Sequence, residues 1–147
     1  MFSRKGLLIA IIATACAASP SKPVAPWRVE LATSGGIAGR GIGSAAIDSQ
    51  GNVSVTTMTR KTCASHATAD ELANIERLLG MSKPAKWGSY VPENPCCDRI
   101  EYSLTFEEGD KKYGARWIDD PLPRPADLVK VADAMSALRQ KYSEQCK

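Results

Sequence analysis

Histidine is almost missing from this chain: His66 stands alone among 147 residues. One imidazole, beside cysteines that lack C-x-x-C spacing, makes no zinc pattern, and His66 reads as a surface or helix-entry residue. The enzyme signatures H-E-x-x-H and G-x-S-x-G are absent, as is a Walker-type phosphate loop, and the glycine-rich stretch lacks G-x-G-x-x-G spacing. The adjacent acids Asp119 and Asp120 precede Pro121, a setting in which such pairs end a strand and cap a turn. No enzyme, no metal and no cofactor is therefore expected. Charge of one sign is also lacking: removing Arg4 and Lys5 from the 19 basic residues leaves 17 against 16 acidic ones, too even a balance for a nucleic-acid surface.

The longest apolar run, residues 7–12, is far short of the ~18–20 residues that span a bilayer. With Arg4 and Lys5 ahead of it and small residues behind, it reads as a secretory signal over residues 1–15. Ala13, Thr14 and Ala15 lead into Cys16, which resembles the bacterial lipobox although the position three before the cysteine is Ala13 and not leucine. Cys16 is accordingly the expected lipid attachment site, which implies a membrane anchor and a place in the bacterial cell envelope. Ordinary cleavage after Ala15, giving a soluble secreted protein, is the competing route. Residues 16–26 hold three prolines among small residues and form a short extended tether, so that one domain is expected over 27–147.

Setting Cys16 aside leaves Cys63, Cys96, Cys97 and Cys146, an even set for an exported protein and hence two expected disulfides. Neighbouring cysteines bond only through a strained ring. One of Cys96 and Cys97 is therefore expected to reach Cys63, and the other Cys146.

Within the domain, Trp27 to Leu31 alternates in the manner of a half-buried strand, five glycines follow between residues 35 and 43, and a weak small-residue strand covers 42–47. A turn at 48–52 leads to a β-branched strand from Val53 to Thr59. The period then changes. Thr68 and Glu71 have capping-box spacing, Leu72, Ile75, Leu78 and Leu79 share a helical face, and Gly80 is placed to stop the helix. The segment 81–97 shows no period, with Trp87 and Tyr90 read as a cover over the core edge. Ile100, Tyr102, Leu104 and Phe106 then alternate strictly with polar residues, and Tyr113, Ala115 and Trp117 answer them on a returning strand. A final helix opens at Pro125, places Asp127 at the positive end of its dipole, and carries the stripe Leu128, Val131, Ala132, Met135, Leu138 and Tyr142. Lys130, Asp133, Arg139, Gln140 and Lys141 fall mostly on the opposite, solvated face. The order β-β-β-α-β-β-α predicts an α+β domain with an antiparallel sheet of four to five strands and two helices on one face.

This layout, together with SGGIAG at Ser34, Gly35, Gly36, Ile37, Ala38 and Gly39, residues 117–120 and the proline-flanked loop 121–125, resembles the emfourin family of bacterial proteins. The similarity of layout runs from Trp27 to about Arg139, and the chain departs from the family in its export signal, Cys16 and its four other cysteines. The resemblance implies a protein partner, a thermolysin-like zinc metalloprotease, inhibited through the loop Ser34, Gly35, Gly36, Ile37, Ala38 and Gly39. On physical grounds such a loop needs close backbone approach and one apolar anchor, for which Ile37 is the candidate. Two alternatives stay open. Ile37 turned into the core would leave the glycines shaping a bulged hairpin, and a non-inhibitory envelope lipoprotein would bind another envelope component through its open sheet face or the 81–97 loop.

Overall fold

Residues 25–37, 41–94, 98–119 and 122–146 are described by a computed structural model of the chain. Their centre is a row of side chains, Val55, Ala45, Leu31, Leu104 and Ala115, that stand side by side on five successive strands and are all buried. The strands are β1 (Trp27–Gly35), β2 (Gly43–Asp48), β3 (Asn52–Thr56), β4 (Thr62–His66), β5 (Ser89–Tyr90), β6 (Ile100–Glu108) and β7 (Lys111–Ile118). They form one sheet in the order β4-β3-β2-β1-β6-β7-β5, antiparallel throughout except for β5, which runs parallel to β7. Two helices, α1 (Ala69–Met81) and α2 (Ala126–Gln145), complete an α+β domain.

Alternation explains which face is covered. On β1, Trp27, Val29, Leu31 and Thr33 point inward, and on β6 Leu104 and Phe106 do the same. Every member of the predicted α2 stripe is buried against this face, with Ile75, Leu78 and Leu79 of α1 beside it. The small residues of β2, including a fully buried Ala45, let α2 cross over β1, β2 and β3. The opposite sheet face carries ion pairs between Arg28 and Glu30, Lys112 and Glu107, and Arg116 and Glu101, the composition of a solvated surface.

Local chemistry fixes the ends of several elements. Thr68 and Glu71 complete the capping box of α1. The Asp48 carboxylate accepts from the Gln50 and Asn52 amides, with Gly51 at φ +81°, which closes the β2–β3 turn. Partial burial opposes ionisation of Asp48, but the Asn52 and Gln50 donors prevail and lower its pKa. Asp127 accepts from the Lys83 amide at 2.9 Å, and this bond is the main reason that its carboxyl is held below the ordinary range. It thereby ties the segment after α1 to the first turn of α2, a role beyond favourable placement on the helix dipole. Trp87 is buried beside Phe106, as a cover over the core edge requires.

Several expectations are corrected. The sheet has seven strands and is mixed, not four to five and antiparallel. The strand expected to reach Thr59 stops at Thr56, where a turn over 57–61 reverses the chain into β4. That turn contains no glycine, proline or asparagine and uses Arg60 at φ +63°, so the residues that usually betray a reversal are missing. β4 itself is small and polar because it is an exposed edge with little to bury. Gly80 does not stop α1, which continues to Met81; the Ser82 amide and hydroxyl take up the Leu79 and Leu78 carbonyls instead.

The cysteine pairing is also corrected. Cys63 on β4 bonds to Cys146 at the end of α2, because the helix crosses the sheet to its β4 edge and leaves the two Cα atoms 5.8 Å apart. Neither is then available to Cys96 or Cys97, which lie outside the described residues. A disulfide of this kind suits an oxidising compartment. The signal segment, Cys16 and the tether up to Val24 also fall outside the described residues, and among those described no helix is long and apolar enough to cross a membrane.

Candidate functional site

The glycine-rich connection sits at the end of the sheet where β1 hands over to β2. Ser34 and Gly35 finish β1, paired with Glu101 and Ile100 of β6. Gly35 has φ +81°, and a Cβ there would lie 2.5 Å from the Arg99 carbonyl oxygen, so only glycine fits. The Gly36 amide donates to that same oxygen at 3.0 Å, and the Gly41 amide donates to the Gly35 carbonyl at 3.1 Å. A Cβ on Gly41 would in turn meet Gly35 O at 2.8 Å. These glycines are thus explained by packing on the start of β6. Between them Ile37 is 68% exposed, which decides the open question of its direction: it points outward. Ala38 and Gly39 lie outside the described residues.

The β3–β4 turn closes the same end, because β2 and β3 are antiparallel and Ser44 pairs with Thr56. Met58 at its tip is 65% exposed. Between the two connections runs a groove of about 390 Å³ floored by Thr33, Ile100, Tyr102 and Arg139 and walled by Gly41, Ile42 and the 57–59 turn. The sequence pattern places Arg139 on the solvated face of α2. Instead its Nη1 donates to Thr33 Oγ1 at 2.8 Å, and Thr33, only 7% exposed, donates onward to the Gly43 carbonyl at 3.2 Å. The available signal was the helical period: Arg139 lies four residues after Met135 and flanks the buried stripe.

On an adjoining face of the same turn of α2 the polar groups are saturated. Glu71 accepts from Lys141 Nζ at 2.7 Å, from the Tyr142 hydroxyl at 2.8 Å and from the Thr68 amide at 2.9 Å. Partial burial by itself would raise its pKa, but these donors together lower it from 4.5 to about 2. Tyr142 is shifted upward by burial and by its bond to the ionised Glu71, while Lys141 is raised chiefly by its hydrogen bond to Glu71. Held so far below neutrality, Glu71 serves as a fixed acceptor that joins α1 to α2. His66 lies exposed on β4, its carbonyl 3.0 Å from the Tyr142 hydroxyl.

The remaining motif residues take structural positions. Trp117 is buried, stacked on Tyr102 with ring centroids 5.5 Å apart and covered by Arg124 at 4.8 Å. Asp119 pairs with Arg99 at 3.6 Å, and Asp120 lies outside the described residues. Among the described residues no group of three or more His, Cys, Asp or Glu side chains is placed to hold a metal ion. Comparison with protein-family models, curated proteins and solved structures yields no match.

Proposed function

We propose that this chain is an exported, lipid-anchored binding protein that inhibits a thermolysin-like metalloprotease by presenting Ile37 to the enzyme's specificity pocket. The observation that carries this reading is the exposure of Ile37 on a connection whose base is bonded to the Arg99 carbonyl. A branched aliphatic side chain held out from a sheet by close backbone packing loses little freedom on docking, which is the property an inhibitory loop requires. The resemblance to the emfourin family supplies the partner class, and the lipobox-like sequence before Cys16 supplies the envelope anchor. The alternative is a non-inhibitory envelope lipoprotein that binds another envelope component through its open sheet face or the 81–97 loop, and the ion pairs on that face give the first of these surfaces less support.

Titrating the chain against a thermolysin-like protease tests the reading. Turnover is expected to fall at micromolar protein, with Ile37→Asp weakening inhibition by about 100-fold, the size of a central anchor's contribution. Unchanged turnover would remove the inhibitor reading, whereas full inhibition by Ile37→Asp would remove only the anchor. Fatty-acid labelling of wild type against Cys16→Ser tests the anchor to the membrane separately.

A further inference from the structure

Arginine carries five N–H donors in a planar fork, and a guanidinium drawn into a groove ordinarily meets a carboxylate. Arg139 does not. Among the described residues its hydrogen bond goes to the neutral Thr33 hydroxyl, no carboxylate lies within ion-pair distance, and no acidic residue lines the groove. Arg139 is the one charged residue among those that line the groove. Around the fork, for an aliphatic neighbour, stand Ile42, Ile100 and Met58.

From this arrangement we infer that the groove is a binding site for a carboxylate borne on a short stretch of polypeptide. The charge argument selects the ligand class. One guanidinium balances one carboxylate and offers it two parallel N–H bonds, whereas a phosphate dianion would call for further cations among the lining residues. The apolar walls take the aliphatic part of the residue that carries the acid, and a volume of about 390 Å³ falls in the range of small-ligand sites. The Thr33 bond orients the fork before any ligand arrives, so less side-chain freedom is lost on binding. The site is independent of what Ile37 docks into. Its ligand is either the C-terminal carboxylate of a chain or an acidic side chain, and the two are separable.

The experiment follows the Arg139 Nε–H signal of the full chain by NMR during titration with three probes: acetyl-Ala-Leu with a free C-terminal carboxylate, its C-terminal amide, and acetyl-Ala-Glu-amide. The free acid or the glutamate peptide is expected to move the signal saturably, the neutral amide to leave it in place, and the more effective acid identifies the source of the carboxylate. Arg139→Gln is expected to weaken that binding by at least about tenfold, and Arg139→Lys to restore it only in part. Equal shifts from acid and amide, no shift from either acid at 20-fold excess over the protein at millimolar concentration, or undiminished binding by folded Arg139→Gln would each overturn the inference. The wild-type titration decides the matter even if the glutamine variant fails to fold.

Discussion

Lys141 and Tyr142 sit on α2 less than one turn beyond Arg139, yet the two stretches of helix face opposite circumstances. Lys141 and Tyr142 converge on Glu71, whose carboxylate also takes the Thr68 amide, and Cys146 closes the same region with a disulfide. Arg139 meets one neutral hydroxyl on the floor of a groove. Polar groups that hold a fold together tend to be fully partnered, because leaving one unsatisfied in a desolvated place is costly. A cation with spare donors is better explained by something it receives. The difference separates the face of α2 that fastens the domain from the face, with Arg139 and Ser143, that is open to a ligand.

Breaking the fastened region is expected to have the largest effect. The Cys63–Cys146 bond spans 83 residues of sequence, for which the chain-entropy model gives about 4–5 kcal/mol of stabilisation. Cys63→Ser with Cys146→Ser should lower the urea midpoint accordingly, and a shift equivalent to less than 1 kcal/mol would show that the hydrogen bonds, not the disulfide, fasten this end.

The next effect is a pH dependence. Glu71 has a folded pKa of about 2 against an ordinary value of 4.5, so its contribution to stability is present above pH 4.5 and is lost as the pH falls through about 2. Urea unfolding between pH 5 and pH 2 should show the loss, and Glu71→Gln should flatten that part of the profile while costing on the order of 1–3 kcal/mol at neutral pH. An unchanged slope in the variant would mean that another carboxylate is responsible.

The smallest effect is expected on the open face. Arg139→Met keeps the stem of the side chain, and Thr33 retains its bond to the Gly43 carbonyl, so stability should change by less than about 1 kcal/mol. A loss above about 3 kcal/mol in the same unfolding assay would make Arg139 a fastening residue and erase the contrast.

Much of this fold is legible without coordinates. The strict alternation from Ile100 to Phe106, the capping box at Thr68 and Glu71, and the six-residue stripe of α2 appear where the sequence places them. Each is a periodic or local signal, produced when one face of an element is buried or one helix end must satisfy its own amides. β4 and β5 gave no such signal. One is a polar edge strand reached through a turn at Arg60, and the other is two residues long. For the candidate site the division is similar, since Ile37 stands out in the sequence while its outward direction does not, and Arg139 was hidden among solvated helix residues.

The sequence by itself determined the glycine-rich connection between two strands, the α+β class and the identity of the core-facing residues, because chain geometry imposes those patterns residue by residue. Only the tertiary structure decided that Cys63 bonds to Cys146, that Gly35 and Gly36 pack on the Arg99 carbonyl, and that Arg139 turns toward Thr33. These are meetings between distant parts of the chain, set by where α2 crosses the sheet, and no local pattern encodes a distance of that kind.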